Sequence, residues 1–161
     1  MPVEKINHLK HNMYVSGMGV VLLGFWSIIK TIISITLGAQ LYTEEQLSEI
    51  PEDEITIVYV LAYIFIIIVL LLIFLFHSHI GLNAMRRAKG KKFKKAYFFW
   101  SIFFLIFLLL GMPSYFIQLE DLWDIDSVIA AILVDLTLSF LLIDIIYSSI
   151  KIKKFELKKE V

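Results

Sequence analysis

The chain has 161 residues, 59% of them hydrophobic, with no cysteine, a formal net charge of zero and a mean hydropathy of +0.81. Soluble domains are about half apolar and lack long apolar runs, so this composition leaves no room for a soluble catalytic domain. The missing cysteines exclude disulfides, thiol redox chemistry and thiolate metal sites.

Four apolar runs divide the chain at about residues 14–38, 55–79, 96–119 and 127–150. Each is long enough to cross about 30 Å of hydrocarbon as a helix. The runs are continuous, not alternating, and an unclosed sheet leaves backbone groups unpaired in lipid. The expectation is an all-α integral membrane bundle of four transmembrane helices forming a single domain over 1–161.

The first run follows a weakly basic start, Lys5 and Lys10, but is much longer than the apolar core of a signal peptide, about 7–15 residues. It is read as a retained helix. Gly17, Gly24, Thr31 and Gly38 recur at heptad spacing, with Ser27 and Ser34 on the same face. Small side chains let helices approach closely in lipid, where hydrophobic attraction is absent. This face is a candidate seam for a second copy or another membrane protein; ordinary packing inside the bundle is the alternative. Lys30 borders the face, about eight residues or ~12 Å from the outer end of the run.

The link to the second run carries Glu44, Glu45, Glu49, Glu52, Asp53 and Glu54, and no Lys or Arg. Thr43 before Glu44–Gln46 reads as a capping box with Tyr42 and Leu47 as its staple. Pro51 then opens the next helix with three acids at its positive end. The second run closes on His77-Ser78-His79. Residues two apart on a helix point about 200° from each other, so this pair cannot chelate one ion. No metal and no cofactor is expected.

Arg86, Arg87, Lys91, Lys92, Lys94 and Lys95 crowd the link between the second and third runs. The cluster suits anionic lipid head groups, although an inside-positive topology signal explains it equally well. A nucleic-acid ligand is not expected in so short a loop between membrane helices. In the third run, Gly111-Met112-Pro113 predicts a kink or loosened turn.

The last link is again acidic, with Glu120, Asp121, Asp124 and Asp126. The fourth run contains Asp135 and Asp144, nine residues apart and therefore half a turn around the helix. The two carboxylates diverge and cannot form an acid–base dyad. Asp135 matches Lys30 in depth, and mutual pairing would lower the cost of two intramembrane charges. Asp144 matches His77 and His79, which makes these three an inner-rim polar group. Lys151, Lys153, Lys154, Lys158 and Lys159 follow.

Basic residues in short loops mark the cytoplasmic side. The basic middle link and basic ends therefore predict both termini inside, in a bacterial plasma membrane. Tyr14 and the aromatic group 97–100 fall at the inner interface, where amphipathic rings settle. With no active-site constellation, the expected role is a non-catalytic interaction or accessory subunit working through helix–helix contacts. The rival is a small oligomeric transporter or channel with Lys30 and Asp135 in its pathway. A membrane enzyme with its site at the His77, His79 and Asp144 rim is a third reading.

Overall fold

The computed structural model describes residues 3–36, 51–113 and 125–159. Four helices account for nearly all of them: α1 (Val3–Thr36), α2 (Glu52–Ala88), α3 (Ala96–Gly111) and α4 (Ile125–Lys159). The capping box at Thr43, its Tyr42–Leu47 staple and Glu120, Asp121 and Asp124 of the last acidic link lie outside the described residues. So do Gly38 and the side chain of Ser34.

Three of the helices, α1, α2 and α4, are long and apolar enough to cross a membrane, and α3 is a shorter apolar helix. α1, α2 and α4 have 34, 37 and 35 residues, or about 50–55 Å at helical rise. They outrun the predicted apolar runs at the ends where the basic residues stand. α1 starts at Val3 instead of near Tyr14, α2 continues past His79 to Ala88, and α4 continues past Ile150 to Lys159. The reason is amphipathicity. Ile6, Leu9, Met13, Ser16 and Val20 form a buried stripe on α1, at the three- and four-residue spacing that keeps one helix face covered. Leu138, Leu142, Ile145 and Ile152 do the same on α4.

α3 starts at the expected residue but ends at Gly111, sixteen residues on. Met112 forms a turn, its N–H reaching the Leu108 carbonyl at 3.1 Å. Met112 keeps helical dihedrals (φ −56°, ψ −39°) and this bond is the ordinary four-residue helical one, so the described residues show no loosened turn before Pro113.

The chain divides into two compact units, Met1–Leu23 with His77–Val161, and Gly24–Phe76. The first unit is a four-helix bundle to which every helix contributes. Its core includes Met13, Val20, Ile80, Tyr97, Leu142 and Ile145, all fully buried. α1 meets α2 at a pair of glycines. A Cβ on Gly17 would lie 2.8 Å from the Gly81 carbonyl oxygen, and one on Gly81 would collide with the Gly17 carbonyl. Only glycine at both positions permits this backbone approach.

The second unit consists of the later part of α1 and the first two-thirds of α2. α2 starts directly after Pro51, whose carbonyl accepts the Glu54 N–H at 2.9 Å. None of the most apolar stretch of α2 is buried, and Ile57, Leu61, Phe65, Ile67, Leu72 and Leu75 are all exposed. A helix apolar on every side, with none of this stretch fully buried by protein, fits a lipid environment. The chain is a multi-pass membrane protein by this criterion.

Candidate functional site

The polar chemistry of the first unit concentrates where α2 ends, α3 begins and α4 closes. α2 terminates in a Schellman turn. The Lys91 N–H bonds the Arg86 carbonyl at 2.8 Å, and the Gly90 N–H bonds that of Arg87 at 3.0 Å. Gly90 takes the left-handed conformation this turn needs, with φ of 67°. Asn83, buried one helical turn before Arg87, holds the returning chain. Its side-chain oxygen accepts the Lys94 N–H at 2.8 Å while its amide donates to the His79 carbonyl at 2.7 Å. The short link thereby fixes the position of Tyr97, the second residue of α3.

Tyr97 is fully buried. Its hydroxyl accepts a hydrogen bond from Arg87 Nη1 at 2.9 Å and shares another with Ser149 Oγ at 2.7 Å. Arg87 Nη2 donates to the Ser149 carbonyl at 3.0 Å. One guanidinium therefore joins three helices. Its planar fork can serve two acceptors at once, which a lysine ammonium does less well. The Phe93 ring lies 5.3 Å from the guanidinium carbon, within cation–π range. Glu156 approaches Nη2 only to 4.0 Å, and its side chain is 61% exposed against 9% for Arg87. Solvent weakens that ion pair to well under the worth of the buried hydrogen bonds.

Above this network lies a cleft of about 610 Å³. α4 supplies Ser149, Lys153 and Glu156 on one side of the cleft and Ile150, Lys154 and Leu157 beside them, in two rows at helical spacing. Lys95, just before α3, and Phe98 and Phe99 of α3 line it as well. Four cationic side chains, Arg87, Lys95, Lys153 and Lys154, thus face one carboxylate, Glu156, in a cleft that is otherwise largely apolar.

Of the six basic residues expected to meet anionic lipid, Arg87 and Lys95 line this cleft. Arg86, Lys91, Lys92 and Lys94 are exposed on the turn and the link beside it. Lys153 and Lys154 complete the cleft from a segment whose charge had pointed only to topology. Tyr97 and Ser149 gave no sequence signal of their roles. Tyr97 reads only as one of the aromatic residues at the inner interface.

The inner-rim residues are spread among separate contacts. Asp144 Oδ2 accepts the Ser16 hydroxyl at 2.6 Å, tying α4 to α1. Buried His77 meets the edge of Phe104 on α3, with ring centroids 4.8 Å apart. His79 Nε2 is buried without a hydrogen-bond partner, as are Ser139 Oγ and Ser148 Oγ. Asp144 bonds to Ser16 in preference to a histidine because the α1 stripe brings Ser16 against α4.

The small-residue face of α1 is divided between the units. Gly17 packs against Gly81, Ala84 and Met85 in the first. Gly24, Ser27 and Thr31 belong to the second, where the Thr31 hydroxyl donates to the Ser27 carbonyl at 3.0 Å. Lys30, also in the second unit, is exposed, whereas Asp135, in the first, is half-buried. Among the described residues no group of three His, Asp or Glu side chains is arranged to hold a metal ion. Comparison of the chain with protein-family models, with curated proteins and with solved structures finds no match.

Proposed function

We propose that the chain is a four-span protein of a bacterial plasma membrane with both termini cytoplasmic, acting as a non-catalytic accessory subunit through helix–helix contacts. Lys30 carries this reading. It is exposed on an apolar helix among Trp26, Ile32 and Ile33, which are exposed as well. An ammonium in hydrocarbon is costly, by about 3 kcal/mol or more at mid-membrane, and such groups face protein or a water-filled path. A partner helix bearing a carboxylate or free carbonyls would cover Lys30 and the rings beside it. Support for the fourth span comes from the apolar sequence that continues past Gly111 to Leu119. Support for the orientation is the segregation of basic and acidic links.

The test places a photo-cross-linking residue at Trp26 or Ile33, one helical turn either side of Lys30, in the native membrane. A discrete product with one other protein is expected, and Lys30→Met should abolish it while the chain stays folded. Cross-links only between copies of this chain would overturn the accessory reading. They would favour an oligomeric transporter, to be examined by flux through Lys30 and Asp135 variants.

A further inference from the structure

We propose that the cleft between α3 and α4 binds one anionic phospholipid of the cytoplasmic leaflet. Its phosphate would rest on Lys95, Lys153 and Lys154, with the upper acyl chain along Phe98, Phe99 and Ile150. The assignment of leaflet rests on the orientation proposed above; the chemistry of the cleft does not.

Three observations converge on a lipid. Lys95, Lys153 and Lys154 are exposed, and among the described residues none of them makes an ion pair. Arg87 is differently placed: it is committed to Tyr97 and Ser149 and so positions the floor of the cleft. A ligand carrying negative charge would balance the local excess of cations.

The cleft is also amphipathic. At about 610 Å³ it is within the range of small-ligand sites, and rings and aliphatic side chains make up much of its wall. Inorganic phosphate or a small phosphorylated metabolite would leave Phe98, Phe99 and Ile150 uncovered.

The apolar wall continues into a surface suited to lipid. Phe99, Phe103 and Phe107 lie at four-residue spacing along α3, all strongly exposed. An acyl chain leaving the cleft beside Phe99 would follow this ridge. Charge at one end and an uninterrupted apolar track at the other match a phospholipid better than an acidic peptide, whose charges repeat along its length.

The protein would be reconstituted in vesicles of equal phosphatidylcholine and phosphatidylglycerol, extracted gently, and its retained lipid weighed by native mass spectrometry. One phosphatidylglycerol per chain is expected. Each surface lysine contributes about fivefold to anionic-lipid affinity. Retention by the joint Lys153→Gln, Lys154→Gln variant should therefore weaken about 25-fold. The matched Lys5→Gln, Lys151→Gln variant should retain lipid as the parent does. Equal loss in both variants would overturn the site in favour of diffuse surface charge, and retention of both lipids alike would overturn it outright. Displacement by millimolar glycerol 3-phosphate would make the ligand a soluble phosphate ester and overturn the lipid assignment. Orientation is tested separately in intact cells: Lys92→Cys in this cysteine-free chain should resist a membrane-impermeant thiol reagent. Labelling from outside would remove the cytoplasmic assignment without affecting the retention result.

Discussion

Gly17 and Gly81 stand face to face where α1 crosses α2, each so close to the other's backbone that a side chain on either would strike a carbonyl oxygen. The crossing fixes α1 against the end of α2 that carries Asn83 and Arg87. It thereby sets the register of the packed unit.

Gly81→Ala should destabilise the protein more than Gly17→Ala. The added methyl at Gly81 meets Val21 at 2.6 Å as well as the opposing backbone, whereas at Gly17 part of the clash falls on the end of Met85, a flexible side chain. Overpacking of this kind costs about 1–3 kcal/mol. Thermal unfolding in detergent, followed by loss of monodisperse protein, would show a lower midpoint for Gly81→Ala. An unchanged midpoint would mean that the helices do not cross here.

Arg87→Lys should fail to replace arginine. The buried guanidinium serves Tyr97 Oη and the Ser149 carbonyl together, and an ammonium cannot reproduce the fork. Losing one charge-assisted bond and leaving a buried acceptor unmet should cost about 2–3 kcal/mol. Tyr97→Phe removes the hydroxyl but leaves the Ser149 carbonyl bond, and should cost about 1–2 kcal/mol. In the double variant the two losses should not add, because the residues share one network; full additivity in a double-mutant cycle would show that they act independently.

Ser16→Ala should destabilise the bundle by about 1–3 kcal/mol, since the Asp144 carboxyl then sits half-buried without its hydroxyl donor. Asp144→Asn retains an acceptor oxygen and should be milder. Denaturant titration of the two variants gives the comparison, and the reverse order would show that Asp144 is held by contacts other than the Ser16 hydroxyl.

Gly90→Ala should cost about 1–2 kcal/mol through the left-handed φ of 67°. No neighbour lies near enough for a methyl to clash, so the effect is one of backbone conformation alone. Gly90→Asn should recover much of the loss, because asparagine tolerates this region better. Equal unfolding midpoints for the two variants would contradict that origin.

The membrane character and the starts of the helices near Pro51 and Ala96 were legible in the sequence. Both depend on local quantities: continuous hydrophobicity and the residues at a helix end. The amphipathic extensions of α1, α2 and α4 were harder to read. A search for uniformly apolar runs stops where polar residues begin, even though Ile6, Leu9, Ile80, Ala84 and Ile152 keep one face buried. The Arg86–Lys95 cluster was visible as charge alone. Which of its members were structural, and which lined a cleft, was not.

By itself, then, the sequence determined that this chain belongs in lipid and is helical, because transfer of apolar residues from water and internal pairing of the backbone act along one dimension. Only the tertiary structure decided that Arg87, Tyr97 and Ser149 form one network and that Lys95 faces Lys153 and Lys154. These partners are ten to more than sixty residues apart. Their meeting depends on how far each long helix runs, on the turn at Gly90 and on the close approach of Gly17 to Gly81. Those are properties of packing in three dimensions, where the rotation of one helix against another selects which side chains share a cleft.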